Sequence, residues 1–244
     1  MIYNIANLTV KIENCGGRTL EQAKPYLAEN QSDEQNVDIV INVDEMRVAD
    51  AVKEHPELSA PDWDYMISGN DFYVGLLRFD GILLHASCVV VDGVAYAFSA
   101  DSGVGKSTHT KLWLDKFGER AYILNDDKPA IRLIDGKLYA CGTPWSGKYD
   151  ISVPGIVPLG AICFVEQDTV NHIEKATVQE AVFCILSQTL RKLGEKNMDS
   201  LLNVIEKICE NVPLYKLGCD ISDEAAELSY NTMKRTFAEV TDES

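Results

Sequence analysis

The residues Ala100-Asp101-Ser102-Gly103-Val104-Gly105-Lys106-Ser107-Thr108 place two glycines, a lysine and two hydroxyls in an order that can surround phosphate. Gly103 and Gly105 admit backbone conformations closed to other residues, so main-chain N–H groups can come close to a ligand. Lys106 would set an ammonium against the β and γ phosphates of a nucleoside triphosphate, and Ser107 would offer a hydroxyl to Mg²⁺. Asp101, Ser102, Val104 and Thr108 complete the cradle. Ala100 stands where the full pattern G-x-x-x-x-G-K-[ST] has its first glycine.

A phosphate cradle of this kind needs a carboxylate for the metal, and Asn125-Asp126-Asp127 supplies two behind the apolar stretch Tyr122-Ile123-Leu124. Paired acids allow one to hold Mg²⁺ while the other takes the proton of an attacking hydroxyl. His85, in Leu83-Leu84-His85-Ala86-Ser87, reads either as a hydrogen-bonded structural histidine or as a third member of the site. The Gly/Pro-rich stretch Gly142 to Lys148 is either a connecting turn with a solvated Lys148 or a loop whose lysine reaches a phosphate or the acceptor.

These residues need a sheet and helices to hold them. Leu83 to Val91 and Val94 to Phe98 are apolar and β-branched, and Asp92-Gly93 between them suits a tight hairpin. Thr108 to Phe117 can form the helix that the loop opens. Ala130 to Ile134 and Lys137 to Cys141 flank a second such turn, Asp135-Gly136, and Gly160 to Val165 reads as a buried strand. Toward the C-terminus Thr177-x-x-Glu180 is a capping box, followed by apolar residues at helical spacing. Met198, Leu201, Leu202, Ile205 and Cys209 repeat that spacing up to Pro213, and Ser222 starts a third helix.

Residues 1–80 read as a small α+β module. Strands are expected at Leu8 to Ile12 and Val37 to Val43, with a short helix at Leu20 to Lys24 behind the capping box Thr19-x-x-Gln22. Loops are expected at Gln31 to Gln35 and Pro56 to Asp64. Residues 81–244 form the catalytic unit, with its helices over about 177–240.

The chain has 244 residues, and 22 Lys and Arg against 38 Asp and Glu give a formal charge of -16. Such a surface repels nucleic acid and anionic lipid, so any phosphate ligand needs locally concentrated cations. With 46% hydrophobic and 25% charged residues the composition is that of a globular protein. Seven scattered cysteines form no CxxC pair and no zinc-type cluster, which reads as buried thiols in a reducing compartment. No leader-like or membrane-length apolar run is present, so a cytoplasmic location is expected.

Taken in order, His85, the loop Ser99 to Ser107 and Asn125-Asp126-Asp127 resemble the bacterial HPr kinase/phosphorylase family, relatives of the ATP-dependent phosphoenolpyruvate carboxykinases. The resemblance covers roughly residues 80–165. It implies an α+β fold: a P-loop core of mostly antiparallel or mixed β-sheet with helices, plus the N-terminal module and C-terminal helices. It further implies that His85 approaches the transferred phosphate, that Ser107 and Asp126 are metal-associated, and that Asp127 is the general base. The family's later Glu-x-x-Gly-type signature is replaced by Gly142 to Lys148, and residues 1–80 differ from the usual N-terminal domain, so HPr is not the expected acceptor.

The expected function is Mg²⁺-ATP-dependent transfer of the γ-phosphate to a hydroxyl of a protein, a peptide or a small molecule. Nucleotide-dependent regulation or assembly with little turnover is the alternative, and a nucleotide-free scaffold stands third. A homo-oligomer, the acceptor and the choice between ATP and GTP are left open.

Overall fold

The computed structural model describes residues 1–31, 36–190 and 193–241. The loop expected at Gln31 to Gln35 lies, from Ser32 onward, outside the described residues. The chain begins with an antiparallel pair, β1 (Ile2–Ile5) and β2 (Leu8–Glu13), followed by α1 (Gly17–Ala23) and β3 (Ile39–Asn42) parallel to β2. Helices α2 (Glu45–Glu54) and α3 (Ala60–Leu76) follow. Alternation in β2 and β3 puts Val10, Ile12, Ile39 and Ile41 on one face, where they pack with Phe72, Tyr73 and Leu76 of α3.

Two expectations here are corrected. Helix α1 starts at Gly17, not Leu20, and Thr19 lies inside it rather than capping it. The reason is tertiary: Asp64 of α3 accepts from Gly16 N at 2.7 Å and Thr19 Oγ at 2.9 Å, which fixes the helix start from outside. The loop expected over Pro56 to Asp64 ends early, because Ser59 accepts from Asp62 N and caps α3, with Pro61 in its first turn.

A second, nine-stranded mixed sheet holds the rest. Its strands are β4 (Gly81–Leu83), β5 (Ala86–Val91), β6 (Val94–Ser99), β7 (Ala121–Asp127), β8 (Ala130–Ile134), β9 (Lys137–Cys141), β10 (Ile156–Gln167), β11 (His172–Lys175) and β12 (Leu214–Cys219). The order is β4-β8-β9-β10-β6-β5-β7, with β12 beside β10 and β11 beside β12. The long β10 joins the two halves: its first residues pair antiparallel with β9, and later ones pair parallel with β6 and β12. Asp92 and Gly93 have φ of 50° and 81°, and Asp135 and Gly136 have 49° and 79°, so both Asp-Gly turns form as the sequence requires.

The single strand expected over Leu83 to Val91 is two. The chain leaves the ladder at Leu84-His85, where Leu84 N donates to Pro129 O at 3.2 Å and His85 N donates to Gln188 O at 2.7 Å. Strands β11 and β12 were not expected from the sequence.

Strands β5 and β6 are buried on both faces. Cys88, Val90, Ala95 and Ala97 meet Ile185 of α5 (Val178–Ser187) and Leu201, Ile205 and Ile208 of α6 (Glu195–Asn211). On the opposite face Val89, Tyr96 and Phe98 meet Trp113 of α4 (Lys106–Phe117) and Met233 of α7 (Asp223–Met233). A short α8 (Phe237–Thr241) ends the described chain. Among the described residues no helix is long and apolar enough to cross a membrane.

His109 is buried in that second face, its ring centroid 4.7 Å from that of Phe98 and its Nε2 2.9 Å from Ser229 Oγ. Burial pulls its pKa down to about 4, from an ordinary 6.5. Between those values the unfolded chain binds a proton that the folded chain refuses, so stability rises with pH through this window. Urea unfolding at pH 7.5 and 4.5 is expected to show about 2–3 kcal/mol more acid loss in wild type than in His109→Gln. Equal losses would refute this.

Candidate active site

The register of the second sheet brings three distant segments together. Across β7-β5-β6 the pairs Asp127↔Ala86 and Ala86↔Ser99 form one line, with Asp126 opposite Ser87. The end of β6, the residue before β5 and the end of β7 therefore share one edge of the sheet.

The chain passes from β6 through residues 100–105 into α4, whose N-cap is Gly105 at φ 125°. Gly103 has φ 83°, and a Cβ there would meet nothing within 4 Å, so its requirement is backbone conformation and not space. The N–H groups of the first turn of α4 lack intrahelical partners and point out of the helix end. Lys106 is buried and folds back, its Nζ donating to Ala100 O at 2.9 Å and Asp101 O at 3.3 Å. Burial pulls its pKa down, opposed by the charges of Asp127, Asp126 and Asp101.

Ser107 Oγ donates to Asp126 Oδ1 at 2.8 Å. A hydroxyl and a carboxylate so close make an all-oxygen donor pair that fits Mg²⁺, which takes one or two protein oxygens and completes its shell with water and phosphate oxygens. Asp127 faces elsewhere: Oδ1 lies 3.0 Å from His85 Nε2, and Oδ2 pairs with Lys128 Nζ. Burial works against its ionisation, but the hydrogen bond from His85 and the charge of Lys128 outweigh it and hold the carboxyl well below the usual range. Its φ of 123° is rare for a residue with a side chain, and such conformations concentrate at functional sites.

The Gly/Pro-rich loop is tied over these acids. Buried Asn125 donates through Nδ2 to Trp145 O at 2.9 Å and to Thr143 O at 3.2 Å. Gly147 N donates to Asp126 O at 2.7 Å, an approach so close that a Cβ on Gly147 would lie 3.0 Å from that same oxygen. Trp145 anchors the loop in the N-terminal core, stacked on Phe72 at 4.8 Å with Nε1 donating to Ser68 Oγ at 3.1 Å. Truncation by Trp145→Ala is expected to cost about 3–5 kcal/mol in urea unfolding. A loss under 1 kcal/mol would show that the anchor does not hold.

A cavity of about 670 Å³ opens here, lined by His85, Ser102, Gly103, Gly105, Lys106, Ser107, Thr108, Asp126, Asp127 and Lys148 among the residues singled out in the sequence. Lys148 is at its rim, with Nζ 4.8 Å from the Tyr149 ring centroid. Asp101 and Val104 do not line it. Asp101 Oδ1 accepts from Gln188 Nε2 at 2.7 Å, and Val104 faces a second cavity of about 740 Å³ on the other side of the loop.

Sequence reasoning missed five residues at this site. Lys128 could have been found as the cation next to Asp127. Ser146 lies within the Gly142 to Lys148 stretch but was not singled out in it, and Arg18 of α1, Tyr65 of α3 and Gln188 carry no signal in their own neighbourhoods. Arg18 and Tyr65 form the far wall of the first cavity, with Arg18 Nη2 donating to Asp150 Oδ1 at 3.0 Å. Ser146 Oγ, in the same cavity lining, is buried without a hydrogen-bond partner among the described residues.

No family model matches this chain, and no curated protein matches it. Among solved structures it is similar to the HPr(Ser) kinase/phosphatase from Coxiella burnetii, at 11% identity and a TM-score of 0.35, over 62% of this chain and 89% of that one. A likeness that distant transfers neither residues nor activity.

Proposed function

We propose that this protein binds Mg²⁺-ATP across Gly103 to Thr108 and transfers the γ-phosphate to a hydroxyl. The observation that carries this reading is the convergence of Lys106, the Ser107–Asp126 pair and the His85–Asp127–Lys128 cluster on one cavity at a glycine loop and helix N-terminus. That is a cation, a metal-type donor pair and a base, drawn from the start of α4 and the end of β7.

In this reading the first-turn N–H groups of α4 hold phosphate oxygens, and Lys106 leaves its carbonyl partners for the β and γ phosphates. Ser107 and Asp126 would hold Mg²⁺, which when bound neutralises charge on the β and γ oxygens. The acceptor oxygen attacks Pγ as the bond from Pγ to the β–γ bridging oxygen breaks, and the hydroxyl proton passes to Asp127. His85 and Lys128 orient that carboxylate and face the phosphoryl group. The acceptor enters past Arg18 and Tyr65, where Ser146 Oγ has an unused hydrogen-bonding capacity. Thr108 lines both cavities, so the nucleoside extends into the second, acid-rimmed by Asp168 and Asp220, a side that suits a neutral sugar better than phosphate.

One observation favours the regulatory alternative: Asp127 is engaged by His85 and Lys128 at once, so as a base it is occupied. Incubation of the purified protein with Mg²⁺ and γ-labelled ATP in cell extract separates the two. Label on an acceptor supports the kinase. Nucleotide binding without label on any acceptor favours regulation, and no binding at all overturns both.

A further inference from the structure

Gln188 lies just past the C-terminus of α5, is 8% exposed, and belongs to none of the catalytic motifs. It nevertheless grips His85 twice. Its main-chain oxygen accepts from His85 N at 2.7 Å, and its side-chain Oε1 lies 2.7 Å from His85 Nδ1. Its Nε2 donates to Asp101 Oδ1, also at 2.7 Å, on the glycine loop.

The chemistry of these partners fixes every orientation. The Asp101 carboxylate only accepts, so the amide must turn its NH₂ toward it. Oε1 must then face His85, and since Oε1 only accepts, Nδ1 must carry the proton. The other ring nitrogen, Nε2, is thereby directed to Asp127, 3.0 Å away, and since that carboxylate too only accepts, Nε2 donates as well and the ring presents an N–H on each side. Ser99 Oγ donates to His85 O at 2.9 Å and secures the main chain beside the ring. A continuous path therefore runs from Asp101 through Gln188 and His85 to Asp127.

We infer that Gln188 is a positioning residue that sets the ring orientation of His85, holds an N–H on Nδ1 while Nε2–H serves Asp127, and ties the ring to Asp101 of the glycine loop. The inference rests on the phosphotransfer reading for its catalytic consequence, but not for its geometry. A histidine's reacting nitrogen is defined by the hydrogen bond its other nitrogen makes. Here that bond comes from a residue whose own orientation depends on the loop that the nucleotide would occupy, so loop conformation and the aim of His85 on Asp127 are linked.

Two substitutions separate positioning from mere packing. Gln188→Met keeps the volume and the main-chain contact to His85 but removes both side-chain bonds. Gln188→Glu keeps an acceptor for Nδ1 while losing the donor to Asp101. The readouts are the ¹⁵N resonances of the His85 ring in histidine-labelled full-length protein, assigned by their loss in His85→Asn, together with kcat and nucleotide KM. In wild type the ring is expected to show N–H at both nitrogens, the Nδ1–H being the signature that depends on Gln188. Gln188→Met is expected to lose that signature and at least tenfold in kcat, with KM for nucleotide within about twofold. Gln188→Glu is expected to retain the signature and recover only part of kcat, the rest being lost with the tie to Asp101. Unchanged ring resonances in Gln188→Met, or identical behaviour of the two variants, would overturn the inference. If wild type transfers no phosphate, the kinase reading fails, while the ring signature still decides the role of Gln188.

Discussion

Asp127→Asn is expected to lower phosphate transfer by about 10²–10⁴-fold, the range that loss of a positioned general base produces. Nucleotide affinity should stay within a few-fold, because Asp127 is directed at His85 and Lys128 and not at the glycine loop. The substitution is nearly isosteric, and the amide oxygen can still accept from one of the two donors, His85 Nε2 or Lys128 Nζ, so the fold should survive. What the amide cannot do is take a proton. Labelled-ATP transfer to the acceptor found in extract, measured beside equilibrium nucleotide binding, checks both halves. Full transfer activity in the variant would remove Asp127 from the mechanism and leave the cluster as a structural ion pair. A parallel loss of binding would place Asp127 on the nucleotide instead.

The second large effect is on binding. Lys106→Ala is expected to weaken Mg²⁺-ATP affinity by about 10²-fold or more, since charge-assisted hydrogen bonds to phosphate are worth about 1.5–3 kcal/mol each and an ammonium here could make two. The folded chain without nucleotide should be little disturbed. In wild type the ammonium is buried against carbonyl oxygens, with its pKa pulled down, which is a held position and not a strongly stabilising one. Isothermal titration with ATP, together with urea unfolding, tests this pair of statements. Undiminished affinity would mean that phosphate does not bind at this loop, and the proposed function would go with it.

Much of the local architecture was legible because it rests on local chemistry. Asp92-Gly93 and Asp135-Gly136 form their tight turns because residues in the left-handed region are written into those pairs. The capping box at Thr177 forms as read, with Thr177 and Glu180 satisfying each other's backbone donors. Ser222 caps α7 for the same reason. Where tertiary partners compete, sequence reading failed. Thr19 became an interior helical residue because Asp64, 45 positions away, takes its hydroxyl. The strand through Leu84-His85 broke because Pro129 and Gln188 supply hydrogen-bond partners that no local window contains. Strand β12 was missed because Pro213 reads as the end of a helix, whereas the ladders with β10 and β11 make the following residues a strand.

For the site, residue type and spacing alone determined which groups could do chemistry: the two glycines that free the loop backbone, Lys106 and Ser107 at a helix start, and two adjacent acids behind a strand. They did so because those requirements are met within a few residues of one another. Tertiary structure decided how the two acids divide. Asp126 turns to Ser107 and Asp127 to His85, because successive residues of β7 point to opposite sides of the sheet. It also placed His85 between Asp127 and Gln188 and added the wall of Arg18 and Tyr65. The His85 contacts span 42 and 103 positions of chain, so only the closing of the sheet and the packing of helices against it could make them.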